Sequence, residues 1–205
     1  MQLDGLPVEA AGRTDAAIAP DLLRAAGVAD AAIDARADDV AAAAVAAYKE
    51  LCPPDLSAYV APGVADALAA LAGKPDTYRL ALLTGNLEPV ARRKLASAGI
   101  GDYFAVGQGG FGSDAEDRSE LPAVARMRAG GWPRERTVVI GDTPRNIACA
   151  RADGVRVIAV ATGPFTPAAL AGADAVVDGA RAVLPVLEDF AGVRQGTGGA
   201  SRGGR

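Results

Sequence analysis

Five short apolar runs set the strongest limit on what this chain can fold into. They are Arg79–Thr84 (RLALLT), Tyr103–Val106, Thr137–Ile140 (TVVI), Val155–Ala161 (VRVIAVA) and Ala175–Val177. Helical patterns separate them at Pro89–Ser97, Leu121–Ala129 and Ile147–Ala152. Runs without polar alternation, with helices between them, describe a parallel sheet covered on both faces. The fold class is therefore α/β, a doubly wound, Rossmann-like parallel sheet.

Upstream the texture differs. From Asp15 to Tyr59 alanine dominates and strand formers are few, so the pattern is helical. Cys52-Pro53-Pro54 breaks it, and a short helix follows over Gly63–Gly73 with Val64, Leu68 and Leu71 on one face. This predicts a small α-helical cap in residues 1–62 and an α/β core in residues 63–190. Residues 191–205, rich in Gly, Ser and Arg and without periodicity, read as a disordered tail.

Composition narrows the chemistry. The 205 residues include no histidine, which removes every mechanism with a histidine base and every His-ligated metal site. What remains is carboxylates, hydroxyls, Lys/Arg, or a hard, oxygen-bound metal ion. Cys52 and Cys149 lack any nearby partner and fit reduced structural thiols. A net charge of −4 argues against nucleic acid as a partner. The N-terminus has no apolar core of a signal peptide, and Ala41–Ala47 is too short to span a bilayer, so the expectation is a cytoplasmic protein with no membrane partner.

In open α/β sheets ligands bind at the carboxyl ends of the strands. Two such ends stand out. Leu83-Thr84-Gly85-Asn86 offers a hydroxyl and backbone N–H groups suited to a phosphate oxygen, although an ordinary Thr-Gly turn has the same residues. Ile140-Gly141-Asp142-Thr143-Pro144 puts an acid directly after a strand, a common way to hold Mg²⁺, although Asp-Thr-Pro also starts helices. Gly107-Gln108-Gly109-Gly110-Phe111-Gly112 matches the dinucleotide-binding spacing, but the acids of Ser113–Asp117 follow where a helix should open. Nicotinamide and flavin cofactors are set aside on that ground.

Arg79 to Leu187 resembles the core of the haloacid dehalogenase superfamily, nearest its phosphoglycolate-phosphatase-like branch. The residues that carry the resemblance are Leu82–Asn86, Ala91–Leu95 with Ala98–Ile100, Tyr103-Phe104, Gly109–Gly112, Val138–Pro144, Ala150, Ala152–Gly154, Val160–Gly163 and Ala173–Val177. Gly12-Arg13-Thr14-Asp15 resembles the entry to that branch's helical cap. The resemblance implies Mg²⁺-dependent hydrolysis of a small phosphorylated metabolite through an aspartyl-phosphate. It implies that Thr84 bonds the transferring phosphoryl group beside the N–H groups of Gly85 and Asn86, and that Asp142 binds Mg²⁺ with Asn146 nearby. Arg118 is the candidate to steady the phosphoryl charge, with Lys94 in reserve as an otherwise solvated helix lysine. Arg13 either reaches the substrate's far end or pairs with Asp15.

Two departures accompany the resemblance. Asn146 stands where the family often has a second acid. The family's first motif, Asp-x-Asp-Gly-Thr at the end of a central strand, does not occur, and Leu3-Asp4-Gly5-Leu6 echoes it only in part. The expectation is a chain that starts inside the cap, short of a strand and helix of roughly 30 residues. That strand would lie between those ending at Thr84 and Asp142. Asp153 is expected to cap a turn, and Asp114, Glu116 and Asp117 to form a solvated acidic loop. The competing functions are a non-catalytic remnant that binds ligands and a nucleotide binder without hydrolysis.

Overall fold

The computed structural model describes residues 12–192. Leu3–Leu6 and all but the first two residues of the predicted tail lie outside that range.

Three helices come first: α1 (Asp15–Ala25), α2 (Asp30–Asp34) and α3 (Ala37–Leu51). Thr14 starts α1, its hydroxyl accepting from Ala17 N–H at 3.1 Å. α3 ends at Cys52, where Pro53 and Pro54 cannot continue a helix. After α4 (Val64–Ala72) come β1 (Leu83–Thr84), α5 (Glu88–Ser97), β2 (Gly110–Phe111) and α6 (Leu121–Arg128). Then follow β3 (Val138–Gly141), α7 (Pro144–Ala152), β4 (Arg156–Val160), β5 (Ala175–Val177) and α8 (Val183–Phe190).

Every strand pairing is parallel, as the apolar runs imply, but the sheet is in two pieces. β1 pairs with β2, and β3-β4-β5 form a second sheet; among the described residues no ladder joins β1 to β3. In β4 successive side chains serve opposite faces. Val157 and Ala159 join Val139, Ile147, Ala150 and Leu170 beneath α7, while Ile158 and Val160 join Val177 and Val183 beneath α8. Leu83 of β1 packs against the first cluster, so the two sheets share a core without sharing hydrogen bonds. At the unpaired edge Ile140 of β3 is 43% exposed, an unusual position for an isoleucine in a parallel strand.

One expected strand is absent. Gly101–Tyr103 is a single 3-10 turn and Val106 is 91% exposed; pairing occurs instead at Gly110–Phe111, inside the glycine-rich stretch. Steric room accounts for this. A Cβ on Gly110 would collide with the Leu121 carbonyl, so only glycine lets β2 approach α6, while Phe111 is fully buried. The run Arg79–Thr84 is likewise strand only at its end, with the Leu82 carbonyl extending the pairing by accepting from Gly110 N–H at 2.9 Å.

Candidate functional site

At the carboxyl end of β1 the chain turns through Gly85 into α5. The Thr84 hydroxyl oxygen accepts from Asn86 N–H at 3.2 Å, which leaves the hydroxyl proton to donate elsewhere. Gly85 is buried because residues 13–15 lie directly over it: a Cβ there would collide with the Arg13 carbonyl. Asp15 N–H donates to the Gly85 carbonyl at 2.7 Å. The Asp15 carboxylate accepts from Leu87 N–H at 2.9 Å and from Asn86 Nδ2 at 3.2 and 3.3 Å. It thus takes the anion position at the start of α5, where backbone N–H groups and the helix dipole favour negative charge. Thr14, 1% exposed, donates its hydroxyl proton to the Glu116 carbonyl at 2.6 Å and so ties the same segment to the loop after β2.

Asn86 is the hub of this end. Its backbone touches Thr84, its Nδ2 touches Asp15, and its Oδ1 accepts from Lys94 Nζ at 2.9 Å. Lys94 also lies 5.2 Å from the centre of the Tyr48 ring on α3. It is therefore no solvated helix lysine but a half-buried one at the junction of cap and core. The Asn86 amide is committed to protein partners.

At the carboxyl end of β3, Asp142 is exposed and lies against Gly163, where a Cβ would stand 2.8 Å from Asp142 Oδ2. Thr143 and Asn146 form a reciprocal cap on α7. Asn146 Oδ1 accepts from the Thr143 hydroxyl at 2.6 Å and from its N–H at 3.1 Å. Gly141 makes room for this, since a Cβ there would collide with the Asn146 side chain.

The segment entering α1 spans the two strand ends. A Cβ on Gly12 would sit 2.6 Å from Cδ of Arg145 in α7, and the next residue meets Gly85. Arg13 donates to Asp21 at 2.7 Å and to the Ala17 carbonyl at 2.9 Å; Asp15, its other suggested partner, is engaged by the α5 start instead. Arg118 opens a 3-10 turn before α6, and its carbonyl accepts from the Cys149 thiol at 3.1 Å. Burial pushes that thiol up to about 11 despite the nearby guanidinium. The Arg118 Nε is buried with no hydrogen-bond partner among the described residues. Among the described residues no hydrogen bond or ion pair joins Arg118 to Thr84, Asn86 or Asp142.

Two acids form ion pairs that the sequence does not announce. Asp153 is 6% exposed and receives a two-pronged bond from Arg126, both contacts 2.7 Å, plus Arg134 Nε at 3.2 Å. The Arg126 bonds hold its carboxyl below the usual value, so Asp153 is a buried ion-pair centre as well as the residue that caps the end of α7. Burial pulls Asp114 up, but Arg128 and Phe111 N–H outweigh it and leave the carboxyl lowered. Asp114 thus belongs to a structural pair, not to a solvated loop.

Mg²⁺ requires several oxygen donors in near-octahedral array. Here Asp142 offers one carboxylate, the Asn146 oxygen is held by the α7 cap, and no group of three acids or cysteines converges among the described residues. These residues alone do not complete such a site.

A parallel α/β core with a threonine at one strand end, an aspartate at another and a helical cap above is a capped, Rossmann-like α/β fold. Residues 6–151 match the family described as haloacid dehalogenase-like hydrolase, and residues 119–190 match the one described as HAD-hydrolase-like. The chain belongs to the haloacid dehalogenase-like hydrolases. It is 36% identical over 131 residues to a plasmid phosphoglycolate phosphatase of Cupriavidus necator, covering 62% of this chain and 55% of that protein. Over 122 residues it is 30% identical to the probable phosphatase IndB of Dickeya dadantii, covering 59% and 52%. A phosphoglycolate phosphatase of Chromobacterium violaceum is 29% identical over 131 residues, covering 64% and 57%. The matched segments thus span about half the length of these relatives. No helix among the described residues is long and apolar enough to cross a membrane.

Proposed function

We propose that the chain carries the core and cap of a phosphatase acting on a small phosphate monoester, of the kind the phosphoglycolate phosphatases' names denote. Thr84 donates its hydroxyl proton to a phosphoryl oxygen. Asp142, across the gap from it, would offer one carboxylate to the Mg²⁺ that such phosphatases generally take. An aspartate attacks phosphorus, the alcohol leaves, and water then splits the aspartyl-phosphate. That nucleophile belongs on a further parallel strand between β1 and β3. The gap in the sheet supports this reading: two parallel pieces share a core, with Ile140 exposed on the edge where a strand would pair.

The test compares hydrolysis of an aryl phosphate by the 205-residue chain and by a form extended at its N-terminus with an apolar strand ending in Asp-x-Asp-Gly-Thr. The expectation is negligible turnover without the strand, since losing a covalent nucleophile costs about 10⁴–10⁶ in rate. Turnover should appear with it and vanish in Asp142→Asn. Robust hydrolysis by the shorter chain would overturn the assignment of the nucleophile. Failure of the extended form would favour a non-catalytic binding role.

A further inference from the structure

Lys94 differs from three arginines around the site in what it touches. Arg13, Arg126 and Arg128 each meet a carboxylate within 2.7 Å. Lys94 meets a neutral amide oxygen and the face of a ring, and no carboxylate lies within ion-pair distance of it among the described residues. Asp15 reaches the opposite end of the same amide, so Asn86 stands between the carboxylate and the ammonium. A half-buried ammonium in this setting keeps N–H donors for an anionic partner.

Its position identifies that partner. One residue, Asn86, touches both the Thr84 hydroxyl and Lys94, so the two groups lie within a single side chain of one another. Tyr48, on the cap helix α3, places the ammonium on the cap side of Thr84. A phosphate ester whose phosphoryl group sits at Thr84 would present its alcohol portion toward the cap. We propose that Lys94 is a specificity-determining residue, receiving a second anionic group on the alcohol side of a phosphate monoester held at Thr84. This rests on the reading of Thr84 as the phosphate end of the site. It goes further in assigning selection among monoesters to one side chain, with Tyr48 and Asn86 fixing its direction.

The experiment is calorimetric titration of the 205-residue chain with 2-phosphoglycolate and with ethyl phosphate, which has similar length but no carboxylate. The expected result is that phosphoglycolate binds about tenfold tighter, the scale of one charge-assisted hydrogen bond. In Lys94→Met the preference should shrink to within about twofold, and in Lys94→Arg part of it should return. Lys49→Met, an exposed lysine on α3, should leave the preference as it is. Equal affinities in the wild type, or a preference that survives Lys94→Met, would overturn the proposal while leaving Thr84 as a phosphate site. If Lys94→Met weakens both ligands alike, the lysine serves the phosphoryl group and the selection assigned to it is refuted. No binding of either ligand would overturn this inference and the phosphate site together.

Discussion

In β4, Val157, Ile158 and Ala159 are at most 1% exposed, whereas none of the fifteen residues of α3 is buried. The three-stranded sheet is covered by helices on both faces and owes its cohesion to apolar burial, at roughly 25 cal/mol per Å² removed from water. Among its described residues the cap buries Thr14, Ile33 and Cys52. It meets the core through named polar contacts: Thr14 to Glu116, Asp15 to Gly85, Asn86 and Leu87, and Tyr48 to Lys94. Apolar burial is non-directional and makes a scaffold; a few directional bonds set an orientation. Leu56 N–H and Cys52 Sγ also meet Ser97 at the far end of α5, but the polar contacts just named cluster around Thr84. Cap mutations should therefore disturb the site before they disturb the fold, and sheet mutations the reverse.

The sharpest way to break that contrast is Ile158→Ala. Emptying a fully buried site in the sheet should cost about 2–5 kcal/mol in denaturant unfolding. Leu51→Ala on α3, where the side chain is 78% exposed, should stay within about 0.5 kcal/mol. Comparable losses at the two positions would mean that the cap has a core of its own.

Arg126→Met should come next. It leaves the Asp153 carboxylate, whose side chain is 2% exposed, with Arg134 alone, and a broken buried pair costs about 3–5 kcal/mol, the lower end applying here because Arg134 remains. The pair also carries a pH signature. Asp153 has its carboxyl lowered from 3.8, first by the Arg126 bond, so its stabilisation is complete above the ordinary carboxylate value and is lost as pH falls through the lowered one. The stability of the wild type should therefore drop more steeply below about pH 4 than that of Arg126→Met, read from unfolding curves at several pH values. Parallel curves would remove Asp153 as the source.

Thr14→Ala tests the seam between the regions. It deletes both the α1 cap and the buried bond to Glu116, for an expected loss of about 1–2 kcal/mol, with Thr14→Ser recovering most of it. Hydrogen exchange should quicken at Leu87 and in α1, with amides of β4 unchanged. Equal acceleration in β4 would show that the cap and the sheet unfold as one unit.

The parallel core was readable because apolar runs and intervening helices are local patterns. Thr84 and Asp142 were readable as strand ends because a glycine follows or precedes each. What escaped was long-range or steric. Gly110–Phe111 pairs where glycine weakens any strand reading, because close approach to Leu121 needs it. The Asp15–Asn86 and Asp153–Arg126 contacts join residues 71 and 27 positions apart, a distance no periodicity reports. Lys94 reads as a lone helix lysine because neither Tyr48 nor Asn86 is its sequence neighbour on one helix face. Asp15 did leave a signal, an acid directly after the Thr14 cap, but helix starts are so often acidic that the signal points nowhere in particular.

The smallest expected effect lies at Tyr48. Its ring faces Lys94 from across the junction, and such a contact at a half-exposed site is worth about 0.5–1 kcal/mol. Tyr48→Leu keeps helix propensity and apolar bulk but removes the ring face, so unfolding should shift by no more than that amount. Tyr48→Phe keeps the face and should be nearly neutral. The phenol itself is pushed up to about 12, chiefly by burial, so it stays protonated at all ordinary pH values and adds no charge to the junction. The informative readout is therefore direction rather than stability. With the ring gone, the Lys94 ammonium keeps Asn86 but loses its cap-side restraint, and the amide signals of Asn86 and Leu87 should broaden or shift in nuclear magnetic resonance spectra. Those of Val157 and Ile158 should not move. Shifts confined to α3, with Asn86 unmoved, would mean that the cap rests on the site without steering it.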